Sequence, residues 1–361
     1  VFLGYPVIGL WYWCADQTIV QRVLGAKDEN HARVGPLFAG FIKILPVFIF
    51  VFPGTIMLAL LHQGKVPALP TLRVAADQAV PTDLSPTEQQ VYQAIAKYDG
   101  QEKDIRVDYV VQQTGLQEQE VSRTMTSLVE RKVLKAKSDA VYAHMILELL
   151  PAGMRGVLAA ALLAALMSTV SGALNSIATL FSYDLYRRWR PETPDRKLVA
   201  IGRIATFFAM VVAILWSPLI ARFESIYQGA NTIICYIAPP ITTVFLWGVF
   251  WRRASSRGAM AALTIGSALG LAVFLLDWFK EQTGWNVQFM MAAFYLFVIC
   301  SVVLVIASLI WPHRHTAQSE RLVWKRPWQA LQDAGWPGLL NYRLLAGVLF
   351  VVMVTLYIIF A

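Results

Sequence analysis

The chain alternates between long apolar runs and short polar ones, and the apolar runs are long enough for helices that cross a membrane. A transmembrane helix needs about 20 mainly apolar residues. The pattern predicts eight spans, at about residues 1–21, 35–61, 150–182, 198–221, 226–250, 258–279, 287–311 and 342–361. One longer polar segment, 63–142, separates the second span from the third. We therefore expect an all-α integral membrane protein that carries an inserted domain.

The composition agrees with this class. Of 361 residues, 57% are hydrophobic and 15% are charged, whereas soluble domains average roughly 45–50% and about 25%. The chain begins inside an apolar run, without Met, so we expect that an N-terminal part is missing. Its three cysteines lie in apolar stretches without metal-ligand or CxxC spacing, which predicts neither a disulfide framework nor a zinc site.

Basic residues predict the orientation of the spans. Cytoplasmic loops of membrane proteins are enriched in Lys and Arg. Fifteen such residues lie in the loops after spans one, three, five and seven, and three lie in the short segments between the other spans. The net charge of +8 therefore indicates orientation in the cell inner (plasma) membrane rather than nucleic-acid binding. The insert and the C-terminus are predicted on the extracytoplasmic side.

Polar residues and helix breakers inside the spans are candidates for function. Lys43 lies in the middle of the second span and Asp16 lies in the first, where ionisable side chains are costly. For Asp16, an ion pair that only holds helices together is the alternative. Breaks at membrane depth occur beside a cavity or ligand, although proline alone can simply kink a helix. Potential breakers occur in spans one and five: Gly4, Pro6, Gly9, Gly229, Pro239 and Pro240.

Span three contains a run of small residues. Ala165, Ser168 and Thr169 are spaced so that they share one helical face. A carbonyl oxygen and two hydroxyl oxygens are suitable ligands for a hard cation. Close helix packing uses the same residue types, and composition alone favours packing.

The strings around these residues resemble the solute:sodium symporter family and, within it, the sodium/glucose cotransporter branch. The resemblance covers almost all of the chain except 63–142. It rests on Trp11-Tyr12-Trp13-Cys14-Ala15-Asp16-Gln17, Gly40-Phe41-Ile42-Lys43-Ile44-Leu45-Pro46, Leu163-Ala164-Ala165-Leu166-Met167-Ser168-Thr169, and Tyr227-Gln228 through Pro239-Pro240 to Arg252-Arg253.

This resemblance implies a leucine-transporter-type fold of two inverted five-helix repeats. The first span would open the second repeat, three C-terminal helices would follow that repeat, and the first repeat would be absent from the chain. The family also implies two sets of site residues. Solute-binding positions are Tyr12 as an aromatic gate, its neighbour Trp13, and Lys43 and Gln228 as hydrogen-bonding partners of sugar hydroxyls. Positions for Na⁺, the coupling ion, are Ala165, Ser168 and Thr169.

The insert has a pattern of its own. Ser85-Pro86-Thr87-Glu88 is a helix start with a capping box, and helices are expected at Val107–Thr114 and Glu118–Lys132, with a short hairpin at Lys135–Tyr142. This order resembles a winged helix-turn-helix. The predicted organisation is therefore spans one and two in 1–62, a winged-helix-like α+β insert in 63–142 and spans three to eight in 143–361.

The charges of the insert argue against nucleic acid as its partner. Residues 65–142 contain ten basic and eleven acidic side chains, whereas DNA-binding domains usually show a basic face. Acidic neighbours flank its one basic cluster, which comprises Arg123, Arg131, Lys132, Lys135 and Lys137. An accessory module that contacts another protein is the favoured interpretation.

The leading hypothesis is a sodium-coupled symporter for a hexose-like sugar or related polyol, embedded in membrane lipid, and not an enzyme. One alternative keeps the transporter and changes the solute to an amino acid, a monocarboxylate or inositol. A second alternative is a transporter-derived membrane sensor that signals through the insert. We expect the 361-residue chain alone not to transport, because half of the implied ion site would be missing.

Overall fold

The computed structural model describes most of the chain, in segments separated by gaps. These are residues 2–46, 48–49, 52–62, 72–74, 84–97, 107–130, 134–136, 143, 145–147, 149–220, 223, 225–312, 317–324, 326 and 329–360.

Helices dominate the described residues. Before the third predicted span they are α1 (Gly4–Cys14), α2 (Gln17–Leu24), α3 (Glu29–Ile42), α4 (Phe52–His62), α5 (Pro86–Ala96), α6 (Val107–Thr114) and α7 (Glu118–Glu130). The helices that follow are α8 (Ala152–Thr179), which continues through a π-helical segment (Leu180–Tyr186) into α9 (Arg187–Trp189), then α10 (Asp195–Ile220), α11 (Ile226–Phe250), α12 (Ser256–Trp278), α13 (Lys280–Thr283), α14 (Phe289–Ile310), α15 (Ala317–Leu322) and α16 (Tyr342–Phe360).

Two short strands, β1 (Leu72–Val74) and β2 (Leu134–Ala136), pair in an antiparallel manner, with Arg73 opposite Lys135. Apart from this pair the regular structure in the described residues is α-helical with a few π- and 3-10-helical turns, in agreement with the predicted all-α class. The chain divides into two compact units. Unit 1 comprises 1–41, 170–220 and 227–361, and unit 2 comprises 42–169 and 221–226.

Six helices in the described residues are long and apolar enough to cross a membrane: Ala152–Trp189, Asp195–Ile220, Ile226–Phe250, Ser256–Trp278, Phe289–Ile310 and Tyr342–Ile359. They match the predicted spans three to eight. The first two predicted spans are instead divided among the shorter helices α1 to α4. The break expected in the first span is present, but its expected place at Gly4, Pro6 or Gly9 is wrong, because all three belong to α1 and the break lies at Ala15 and Asp16. The second predicted span is interrupted after α3, at Lys43.

The expected break at Pro239 and Pro240 is also wrong, since α11 is continuous across both prolines. Proline lacks a backbone N–H, so Pro240 leaves the carbonyl of Tyr236 without its usual helical donor. Threonine hydroxyls bond two carbonyls close by. Thr242 Oγ1 donates to Ala238 O at 3.1 Å, and Thr243 Oγ1 donates to Pro239 O at 2.8 Å.

Small residues set the packing inside unit 1. Helix α12 has small buried residues at four-residue intervals, which gives one narrow face. These residues are Gly258, Ala262, Gly266 and Gly270. A side chain at Gly270 would overlap the Tyr236 carbonyl oxygen, and one at Gly266 would lie 2.7 Å from Pro240 Cβ. We call these four residues the ladder of small residues. The ladder brings the backbone of α12 into contact with α11, next to the Tyr236 carbonyl that lacks its helical donor.

Loops that the positive-inside rule assigns to one side contact one another within unit 1. Arg33, in the first turns of α3, bonds Asp333 at 2.5 Å, and Arg252, which follows α11, bonds Glu320 of α15 at 2.7 Å. The Trp324 N–H donates to Val249 O at 3.0 Å. These contacts hold the segments together within unit 1, and their side of the membrane remains a prediction.

The insert in unit 2 has its own hydrophobic core. Helix α5 starts as expected, since Ser85 and Glu88 form the capping box. Helices α5, α6 and α7 surround a buried cluster of Val91, Ala94, Ile95, Val110, Val121, Met125 and Leu128. Met57 of α4 belongs to the same cluster and is fully buried, and Leu60 packs against it. The apolar core of the insert therefore continues into α4.

The expected hairpin at Lys135–Tyr142 is not formed by the part that the structure describes, because β2 pairs with β1, which precedes α5. Residues 137–142 of this prediction lie outside the described residues, as do Arg131 and Lys132 of the basic cluster. The winged-helix resemblance and the boundaries at 63 and 142 remain predictions.

We predict that Gly270→Ala destabilises unit 1 by about 1–3 kcal/mol, because the added methyl group would overlap the Tyr236 carbonyl. Denaturant unfolding of the detergent-purified protein measures this. Gly248→Ala in α11 is the matched control, since nothing lies within 4 Å of a Cβ added there. Equal stability of the two variants would contradict the close approach.

Candidate functional site

A break after the aromatic cluster divides the first predicted span. The backbone N–H groups of Ala15 and Asp16 both donate to Trp11 O, at 2.8 and 2.9 Å. Asp16 then begins α2 as its N-cap, because its side chain accepts a hydrogen bond from the Thr18 N–H at 2.7 Å. Asp16 therefore serves as a cap, a role that the alternative of a helix-locking ion pair did not include.

Tyr12 and Trp13 lie immediately before this break, in the last turn of α1. Their rings meet edge to face, with centroids 5.4 Å apart and planes at 90°. Both side chains are half-buried. An aromatic pair of this kind offers a flat apolar face beside backbone groups that have left the helical ladder, which is an arrangement suited to a small polar solute.

The N-terminal half of this span is fixed to α14 and α11. A side chain at Gly4 would overlap the Met290 carbonyl, so α1 and α14 approach closely. In the buried contact with α11, the Thr242 hydroxyl shares its one proton between Val7 O, at 3.2 Å, and Ala238 O of its own helix. The site residues Tyr12 and Trp13 therefore belong to a helix with fixed neighbours in unit 1.

Gln228 lies in the first turn of α11 and is half-buried. The preceding residue, Tyr227, forms a hydroxyl–hydroxyl hydrogen bond of 3.1 Å with Tyr5 of α1. Asn231 Nδ2 donates to Tyr227 O at 2.8 Å. The start of α11 is therefore tied to α1, the helix that carries the aromatic pair.

Lys43 lies in unit 2, directly after the end of α3 at Ile42. Its position is a turn, and its side chain is exposed. The second predicted span is thus interrupted at its charged residue. A lysine at a break has more access to a cavity or to water than one inside a continuous helix.

Ala165, Ser168 and Thr169 lie on one face of α8, and all three are exposed. Thr169 Oγ1 donates to Ala165 O at 2.9 Å, so the two oxygens are held next to each other. Among the residues that the structure describes there is no cluster of three or more His, Cys, Asp or Glu side chains that could hold a metal. The cation chemistry available on α8 is that of carbonyl and hydroxyl oxygens.

The predicted site residues fall into both units. Tyr12, Trp13 and Gln228 belong to unit 1, whereas Lys43, Ala165, Ser168 and Thr169 belong to unit 2. Two contacts were not foreseen from the sequence: the Tyr5–Tyr227 bond and the ladder of small residues in α12. The four-residue spacing of Gly258, Ala262, Gly266 and Gly270 could have revealed the ladder.

The fold and these sites define an all-α, multi-pass membrane protein. The family model of the sodium:solute symporter family matches residues 119–266. The chain is therefore related to the sodium:solute symporters, as the strings in its sequence indicated.

Among curated proteins, the sodium/myo-inositol cotransporter 2 of Mus musculus is 31% identical over 286 residues, which cover 78% of this chain and 34% of the relative. The sodium/mannose cotransporter of Bos taurus is 28% identical, covering 91% of the chain and 48% of the relative. The sodium/glucose cotransporter 4 of Danio rerio is 29% identical, covering 77% and 34%. The chain thus spans a third to a half of the length of these relatives. All three relatives are named as cotransporters.

We predict that Asp16→Ala weakens the start of α2 by about 0.5–2 kcal/mol, because an N-cap is lost. Asp16→Asn is the matched control, since Asn caps as well as Asp but has no charge. Hydrogen exchange of the α2 amides measures the effect. Equal weakening by Ala and Asn would show that the charge of Asp16, rather than its capping bond, holds the break.

Proposed function

We propose that the protein couples the entry of sodium to the uptake of a sugar or related polyol by alternating access. The observation that carries this proposal is the capped break at Ala15 and Asp16 beside the Tyr12–Trp13 pair. It lies in a chain related to the sodium:solute symporters. Broken helices of this kind surround the midplane binding sites of secondary transporters.

A polyol needs several hydrogen-bond partners next to an apolar ring face. In the proposal, Tyr12 and Trp13 provide the aromatic surface, and Gln228 and Lys43 provide donors to the hydroxyls. The half-buried Gln228 is held at the start of α11 through its neighbour Tyr227. The relatives include cotransporters for myo-inositol, mannose and glucose, which favours a polyol over an amino acid or a monocarboxylate as the solute.

Sodium is the second substrate of the proposed cycle. Ala165, Ser168 and Thr169 would contribute oxygens to it, and the short distance between Thr169 Oγ1 and Ala165 O supports a shared position on α8. If sodium raises the affinity for the solute, the solute must raise the affinity for sodium by the same factor. Binding of the two is therefore expected to be mutually dependent.

The test uses the gene product at its full length, reconstituted in liposomes. We expect uptake of labelled glucose, mannose or myo-inositol to rise when sodium is supplied as an inward gradient, relative to choline. Uptake that is indifferent to the sodium gradient for all three solutes would refute sodium-coupled symport of a polyol.

We predict that Lys43→Ala and Gln228→Ala weaken solute binding roughly 3- to 30-fold, because each removes a hydrogen bond to the solute. Sodium binding measured without solute should change little. Lys27→Ala and Gln282→Ala are the matched controls, since both side chains are exposed and outside the proposed site. Unchanged solute affinity in both site variants would refute the assignment of these residues.

A membrane sensor that signals through the insert is a second candidate function. The observation in its favour is that Met57 of α4 is fully buried in the core of the insert. A movement of α4 would therefore be transmitted to α7. A sensor would need the insert in the cytoplasm, whereas a transporter with the predicted orientation has it outside.

We predict that a cysteine introduced as Gln117→Cys, next to α7, is labelled by an impermeant maleimide in intact cells. Gln117 is exposed, and the charge pattern assigns the insert to the extracytoplasmic side. Lys27→Cys, in a predicted cytoplasmic loop, should be labelled only after permeabilisation. The reverse pattern would overturn the orientation and favour the sensor.

A further inference from the structure

Helix α2 is bonded to α8 through a polar contact in unit 1. Gln21 Nε2 donates to Ser176 Oγ at 2.8 Å, and Ser176 Oγ donates to Gly172 O at 2.9 Å. Ser176 is only 5% exposed. Its hydroxyl therefore acts as acceptor for Gln21 and as donor within α8, which satisfies a buried polar group in both directions.

Gly172, one turn before Ser176, allows the close approach of the two helices. A Cβ at this position would lie 3.0 Å from Arg22 Nη2 and 3.5 Å from Thr18 Cγ2. Thr18, Gln21 and Arg22 are spaced at i, i+3 and i+4 and so share one face of α2. The contact is therefore a fitted interface between one face of α2 and the small residues Gly172 and Ser176.

The same face of α8 carries the proposed sodium ligands. Gly172 and Ser176 follow Ser168 by four and eight residues, that is, by about one and two turns of one continuous helix. On the other side of the contact, α2 follows Tyr12 and Trp13 directly across the capped break. The hydrogen bond between Gln21 and Ser176 thus joins α8, which carries the proposed sodium ligands, to α2, which follows the proposed aromatic gate.

We propose that Gln21 is a positioning residue that couples sodium binding to solute binding by fixing α2 against α8 through Ser176. This inference rests on the proposed function. Sodium that orders the Ala165–Thr169 face also orders Ser176 on the same helix, and the bond to Gln21 transmits this order to α2. Gln21 itself does not bind the solute.

The experiment measures the dissociation constant of the solute in sodium and in choline. The solute is myo-inositol, or whichever of glucose, mannose and myo-inositol the liposomes take up best. The ratio of the two constants is the coupling. We expect Gln21→Ala and Ser176→Ala to reduce this ratio roughly three- to tenfold, mainly through weaker binding in sodium. The double variant should lose no more than either single variant, because both act through one bond.

Two further variants separate coupling from general stability. Ser176→Thr keeps the hydroxyl and should retain the wild-type ratio. Thr179→Ala removes a hydroxyl from the same helix, and the bonds of that hydroxyl among the described residues go to Asn175 O and Ser176 O of α8. This variant should leave the ratio unchanged. A loss of coupling in Thr179→Ala equal to that in Ser176→Ala would overturn the inference.

Failure of this inference can be distinguished from failure of the proposed function. If solute binding by the wild-type protein does not depend on sodium, the proposed function fails. If it does depend on sodium and the ratio is unchanged in Gln21→Ala and Ser176→Ala, the inference alone is refuted. An equal loss of affinity in sodium and in choline also refutes it, because Gln21 would then be a direct solute contact.

Discussion

The structure depends on one constraint of the membrane environment, namely that backbone polar groups need partners inside the protein. The first predicted span meets this constraint at its break, where Trp11 O accepts two N–H groups and the Asp16 carboxylate bonds the Thr18 N–H. The break separates two halves with different neighbours. Helix α1 packs against α14 at Gly4, and α2 packs against α8 at Gly172. The break allows α1 and α2 to point in different directions, so that each can reach its own neighbour.

A second consequence of this constraint appears where proline interrupts hydrogen bonding inside a continuous helix. Pro240 deprives Tyr236 O of its helical donor, and it is this carbonyl that Gly270 of α12 approaches. Proline in α11 and glycine in α12 thus act as a pair, because a side chain at position 270 would keep the two backbones apart. Helix α11 nevertheless remains intact from Ile226 to Phe250, and Thr242 and Thr243 donate to the carbonyls of Ala238 and Pro239 in the following turn.

Local patterns in the sequence predicted local structure well. The apolar runs located the six long helices, and the capping box at Ser85 and Glu88 located the start of α5. Non-local partners could not be predicted, since hydrophobic periodicity contains no information about them. Strand β2 pairs with β1 from before α5, and Gln21 bonds Ser176 from 155 positions further along the chain. The identities of the candidate site residues came from the family resemblance, which says nothing of these contacts.

The run of small residues in α8 combines the two roles that composition alone could not separate. Gly172 and Ser176 serve packing, because α2 contacts the first and bonds the second. Ala165, Ser168 and Thr169 are exposed, so packing among the residues that the structure describes does not account for their small size or for the two adjacent hydroxyls. Thr169 Oγ1 donates its proton to Ala165 O within the helix, so this face presents hydroxyl oxygens whose lone pairs can coordinate a cation. Packing therefore explains the second half of the run, and the proposed sodium site gives a physical reason for the first.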